Sequence, residues 1–195
     1  MRKTLLSILI LLSLVTVTSA QEHIPTVAGV PVLGTAESFS DMLERAGCRQ
    51  ADLPFTDKRF FSCTYGGVRD CLVTVSPADN GELLSVLIDT PPIDSWGHAE
   101  SVFRRIKEEL TLSYGAPVSE KEYFPREARK GRDKVKAIID GKADMECAFD
   151  SGTGHYILVK FVGFNSKDIC LTVSILRTPV FDKLPENDRM PEIVL

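Results

Sequence analysis

Five cysteines and three histidines are the residues of this 195-residue chain with the most reactive side chains: Cys48, Cys63, Cys71, Cys147 and Cys170, with His23, His98 and His155. Cys63 and Cys71 flank the pair Gly66 and Gly67, a hairpin signal, so they fall on the two arms of one hairpin. A three-residue turn at 66–68 sets them face to face. A turn of Gly66 and Gly67 alone leaves them one step out of register. Opposed cysteines at a non-hydrogen-bonded pair lie close enough to bridge, so Cys63–Cys71 is the disulfide the spacing favours. The alternative is a pair of small buried apolar residues. Cys147 shares an apolar strand face with Met145 and Phe149 and is expected to be buried. Cys170 runs in phase with Thr172 and Ser174 and is expected to be more exposed, and Cys48, beside Gly47, is the expected odd thiol.

A nucleophilic cysteine needs a base, and only His155, across a turn from Cys147, is placed to supply one. That spacing is equally that of an ordinary turn residue, so no catalytic residue is assigned. Three scattered histidines, with no Cys-x-x-Cys or His-x-x-x-His, give no metal-ligating set. Gly152, Thr153 and Gly154 lack the strand-then-helix context of a phosphate loop and read as a hairpin turn. Asp89, Asp94, Glu108, Glu109 and Asp150 read as solvated carboxylates. No cofactor is implied. Residues 125–136 hold six Lys and Arg against Glu127 and Asp133 and read as a solvated segment. Without interleaved aromatics that segment does not suit nucleic acid; it suits an acidic surface or a polysaccharide.

The elements that must position these residues are legible in the pattern. Thr35 caps a helix whose Phe39, Met42, Leu43 and Ala46 form one apolar face, and Gly47 stops it. Strands are expected over 59–65, 68–75 and 82–89, the last with Leu84, Val86 and Ile88 alternating. Asp94 or Ser95 caps a second helix carrying Val102, Phe103, Ile106 and Leu110, with Arg104 and Glu108 paired on its outer side and Trp96 packed at its start. Residues 117–143 are polar and read as loop. Strands follow over 145–149, 156–162 and 169–176. The expected fold is α+β: two helix-plus-antiparallel-meander halves, at about 34–90 and 95–177, layered into one domain over 21–178, with a flexible tail over 179–195.

Arg2 and Lys3 precede a short apolar run that ends in small residues at Ala20, the layout of a secretory signal cleaved between Ala20 and Gln21. No cysteine follows the run, so a soluble periplasmic or secreted product is expected, without an integral membrane span. Cleavage moves the formal charge from −4 to −6. An acidic balance argues against nucleic acid as partner.

Residues 27–35 (Val-Ala-Gly-Val-Pro-Val-Leu-Gly-Thr), followed by Phe39, Leu43 and Gly47, resemble the Gly-Ile-Pro-x-x-Gly-Thr/Ser motif of a family of exported Bacteroidetes proteins of the gut Bacteroides type. Ser113, Tyr114, Gly115, Ala116 and Pro117 are similar to that family's helix ending, and residues 156–162 and 169–175 to its closing hairpin. The resemblance implies export and a backbone plan. Its glycines and prolines shape turns, so it implies no catalytic residue, and the five cysteines depart from the family's pattern. At the level of fold, the helix-plus-meander repeat resembles beta-lactamase-inhibitor-like proteins. The expected function is that of an exported binding domain for an unknown protein or envelope component; a small secreted hydrolase or a cell-envelope assembly factor are the alternatives.

Overall fold

In the computed structural model, residues 23–51, 53 and 57–178 are described. The expected signal segment, its Ala20–Gln21 junction and the tail over 179–195 lie outside those residues. Two short strands, β1 (Thr26–Val27) and β2 (Val30–Pro31), form a miniature hairpin. Ala28 and Gly29, both at positive φ, make its two-residue turn. Helix α1 (Ala36–Arg45) follows, capped by Thr35, whose hydroxyl accepts the Ser38 N–H at 3.1 Å. Then come β3 (Arg49–Ala51), β4 (Arg59–Tyr65), β5 (Val68–Pro77) and β6 (Leu83–Asp89). The second half repeats the plan with α2 (Trp96–Tyr114), β7 (Ser119–Tyr123), an inserted helix α3 (Gly131–Ile139), β8 (Asp144–Asp150), β9 (His155–Gly163) and β10 (Ile169–Arg177).

All eight strands from β3 on form one antiparallel sheet in the order β3-β4-β5-β6-β10-β9-β8-β7. Each half is thus a helix followed by a four-strand meander, and the halves join last strand to last strand, with Ile88 opposite Val173. The seam is pinned by polar bonds as well as the ladder: Thr172 donates its hydroxyl to Asp89 at 2.6 Å, and the Leu171 N–H donates to the Thr90 hydroxyl at 2.9 Å. Such an architecture is α+β, as the alternation of patterns implies.

The three helices pack on one face of the sheet. Phe39 and Leu43 of α1, Val102, Phe103 and Ile106 of α2, and Val135 and Ile138 of α3 share a single core cluster with Phe61, Val73, Phe149, Val159, Phe161 and Val173 of the strands. Burying a side chain of this size is worth about 1.5–3 kcal/mol, which is what holds each amphipathic helix to the sheet.

Several expectations need correction. Each meander has four strands, because β3 and β7 add polar edges that carry no apolar alternation. Residues 117–143 are no loop: β7 and α3 occupy most of them. In α3, Val135 and Ile138 provide the anchoring face, and the Asp133 carboxylate accepts the Lys130 N–H at 3.3 Å. Leu83 rather than Leu84 enters the core, because a register shift at Ser76 and Pro77 turns that end of β6. Arg104 pairs back to Glu100 at 2.8 Å, not forward to Glu108. Ser95 is the N-cap of α2, yet its side chain makes no capping bond.

Candidate functional site

The cysteines are placed by the first-half hairpin. Gly66 and Gly67 alone form the turn, closed by Tyr65 opposite Val68, which by itself would leave Cys63 and Cys71 out of step. A bulge on β5 restores the register. It spans Arg69 and Asp70, and Asp70 takes φ +56, a left-handed conformation that Asp tolerates better than most residues. Arg49 (3.1 Å) and the Ser62 hydroxyl (3.4 Å) both donate to Asp70 Oδ1 and hold the bulge. Cys63 consequently stands directly opposite Cys71.

The bond, however, runs from Cys63 to Cys48, which corrects both the expected Cys63–Cys71 bridge and the reading of Cys48 as the odd thiol. Cys48 lies one position beyond the Arg49–Ser62 pair of the β3–β4 ladder, so it faces Cys63 from the other side, at a Cα separation of 4.8 Å. Its N–H is turned away, donating to the Leu43 carbonyl at 3.0 Å. That is the close, non-hydrogen-bonded kind of facing, the geometry that favours a bridge. A strand residue's N–H and C=O leave on one side only, so Cys63 meets Cys71 across the wider, hydrogen-bonded kind of pair. Cys71, Cys147 and Cys170 are free and buried, so the expected exposure of Cys170 is also corrected. Burial pushes the Cys71 thiol up to about 11 and the Cys147 thiol up to about 12.

A cavity of about 270 Å³ opens onto the bridge, with Cys48, Cys63, Arg49, Arg69 and Asp70 in its lining. A second cavity, of about 220 Å³, lies between the first hairpin and the end of α2, lined by Tyr65, Glu109, Ser113 and Tyr114 over Ile157 and Ile175. Burial holds the Tyr65 hydroxyl far above its usual range, with the Tyr114 and Glu109 charges adding to the shift.

Cys147 and His155 do not meet. Cys147 is opposite Val159, four residues along β9 from His155, a distance of about 13 Å at roughly 3.3 Å per residue. Burial lowers the His155 pKa, and its Nδ1 lies 3.3 Å from the Thr153 hydroxyl. The basic run is split between the approach to α3 and α3 itself. There Lys134 stacks 4.9 Å above the Trp96 ring, which also meets Phe124 edge-on at 5.0 Å.

Among the described residues no helix packs on the second face of the sheet. One ladder row runs across all eight strands through Arg49, Ser62, Leu72, Asp89, Thr172, Lys160, Glu146 and Lys121. The next runs through Ala51, Phe60, Thr74, Leu87, Ser174, Leu158, Ala148 and Ser119. Phe60, Leu87 and Leu158 are half-buried and Leu72 is 36% exposed; none of them belongs to the core cluster. Ala148 and Cys170, on the same face, are buried although they lie outside that cluster. The sequence pattern assigned no role to the apolar residues of this face. The signal was there, in Phe60, Leu72, Leu87 and Leu158, apolar residues at the out-facing positions of strands.

Over the described residues the fold is a two-layer α+β domain with its helices on one sheet face and a disulfide at the edge of its first half. No protein-family model, curated protein or solved structure matches the chain. Among the described residues no helix is long and apolar enough to cross a membrane.

Proposed function

We propose that this chain is an exported binding domain that meets a partner protein of the cell envelope or its surroundings through the helix-free sheet face. The observation that carries the reading is the row Phe60, Leu87 and Leu158, apolar side chains set outside the core beside a row of alternating charge. Apolar groups rimmed by charge are what a protein interface uses: burial supplies affinity and the charges fix orientation. Export rests on the N-terminal segment and is supported by a disulfide, a bond that persists in oxidising compartments.

Capture from envelope fractions with the mature chain and with Leu87→Arg and Leu158→Glu variants tests the binding half. One stoichiometric partner held by the parent and lost from both folded variants is expected. A partner retained equally by all three, or none at all, would sink it. N-terminal sequencing tests export separately: Gln21 is the expected first residue, and a chain retaining Met1 in the cytoplasm would overturn it.

A further inference from the structure

Cys63 has a cysteine on either side, Cys48 toward β3 and Cys71 toward β5, so three sulfurs lie in one row across neighbouring strands. We propose that this row is a thiol–disulfide exchange site, in which Cys71 displaces Cys48 from Cys63 and the freed Cys48 thiol reacts with small disulfides that carry a carboxylate.

The two bridges are alternatives on one sulfur. The Cys63–Cys71 pair is opposed in register, and hydrogen-bonded antiparallel pairs sit at a Cα spacing of about 5.5 Å, inside the range that disulfides span. The opposition is built rather than incidental, since the bulge that produces it is held by two side-chain bonds to Asp70. In the exchange the Cys71 thiolate attacks Cys63 Sγ. The Sγ71–Sγ63 bond forms and the Sγ63–Sγ48 bond breaks. Its electron pair leaves on Cys48, which takes up the proton that Cys71 gave away, so nothing is oxidised or reduced overall. In the second step the Cys48 thiolate attacks a disulfide RSSR, forming Cys48–SR and releasing RS⁻.

The roles of the outer two cysteines differ by position. Cys71 is 0% exposed, so an external reagent cannot reach it, and Cys63 is its route into disulfide chemistry. Cys48, 7% exposed while bridged, lies between exposed neighbours, Gly47 and Arg49, and lines the cavity of about 270 Å³, through which a small reagent reaches it once the bond opens. Asp70 neutralises Arg49 at 3.1 Å, so Arg69 gives the cavity lining a net positive charge that favours an anionic ligand. The exchange stands independently of the sheet-face reading, because its test reads sulfur connectivity and not partner binding.

Trypsin cuts at Arg45, Arg49, Arg59 and Arg69 and so separates the three cysteines onto different peptides. After incubation with oxidised glutathione at pH 8.5, acid quenching and alkylation, the expected products are a Cys63–Cys71 linked peptide pair and glutathionylated Cys48. In Cys71→Ser both should disappear and Cys48–Cys63 should persist. A parent chain that keeps only Cys48–Cys63, or equal Cys48 glutathionylation in Cys71→Ser, would overturn the proposal. Cys48→Ser provides a second arm: under the same buffer it should form Cys63–Cys71, and two unbridged residues there would also overturn it.

The rate should rise about tenfold per pH unit between pH 7 and 10, because Cys71 ionises only near 11. Burial dominates that shift, Asp70 on its own strand and Asp89 on β6 reinforce it, and a backbone hydrogen bond with Tyr65 on β4 opposes it. A flat profile would mean that Cys71 is not the attacking group. Arg69→Glu should slow modification of Cys48 by oxidised glutathione several-fold but leave its modification by the uncharged disulfide of 2-hydroxyethanethiol little changed, and an equal effect on both reagents would overturn the preference for an anion.

Discussion

The two halves follow one plan and secure their outer strands by different physics. In the first half the edge strand β3 is three residues long, and the Cys48–Cys63 bond ties it to β4. In the second half the edge strand β7 has five residues and no covalent tie. It is held by ion pairs, Lys121 to Asp144 and Lys107 to Glu120, while α3 and an aromatic cluster of Trp96, Phe124 and Phe161 close the core beside it. Exposed ion pairs are worth little, so the weight in the second half falls on the aromatic burial. A polar edge strand has no apolar face of its own to anchor it. It must borrow its fastening from a covalent bond or from a neighbouring core.

The largest expected effect probes the second half. Trp96→Ala should cost about 3–5 kcal/mol in urea unfolding, the range for deleting a large buried aromatic. Amide exchange should quicken first in β7 and β8; quickening led by β3 and β4 would break the comparison. Removing the bridge as Cys48→Ser/Cys63→Ser closes off the other fastening. A closed loop of sequence separation 15 is worth about 3 kcal/mol by chain entropy, and the loss should appear as faster exchange in β3 and β4 with β7 unaffected.

Gly66 joins the halves, since a Cβ there would lie 2.6 Å from Ile106 on α2, at a φ of +51. Gly66→Ala is expected to lower stability by about 1–3 kcal/mol and to weaken both halves together in a single transition. Separate transitions would show that the β6–β10 seam alone couples them.

His155 sharpens the picture through pH. Burial depresses its pKa, so the unfolded chain binds the proton more tightly. Its contribution is fully present above the unfolded value of about 6.5 and is lost as pH falls through the lower folded value. His155→Gln should flatten that part of the stability profile, measured by denaturant midpoint from pH 7.5 downward. The smallest effect is expected at Leu158, read against its neighbour on the other face of the same strand. Ile157→Ala, facing the helices, should cost about 2–5 kcal/mol, whereas Leu158→Ser, facing away, should stay within about 1 kcal/mol.

How far each element was legible follows from where its instructions lie. Helix α1 was readable because Thr35, the Phe39–Leu43 spacing and Gly47 all act within one short segment. The hairpin of β4 and β5 was readable for the same reason. Helix α3 was missed because six basic residues hid a short apolar face, though Val135, Ile138 and Ile139 at helical spacing carried the signal. Strands β3 and β7 offered no such signal. Residues such as Arg49, Gln50, Glu120 and Lys121 become strand only when a neighbouring ladder supplies their hydrogen bonds.

The α+β plan, the helix faces and a hairpin turn at Gly66 and Gly67 were legible in the chain, since capping, periodicity and turn chemistry are local properties. Which cysteines bond and which sheet face the helices cover were settled only by long-range packing. The bulge at Asp70 and the docking of β3 set cross-strand registers, and a register depends on strands far apart in sequence. Covering one face likewise depends on all three helices choosing the same side, which no single helix encodes. Cys63 shows the division most plainly: its hairpin was foreseeable, but its partner was settled by an edge strand that the chain's own pattern does not announce.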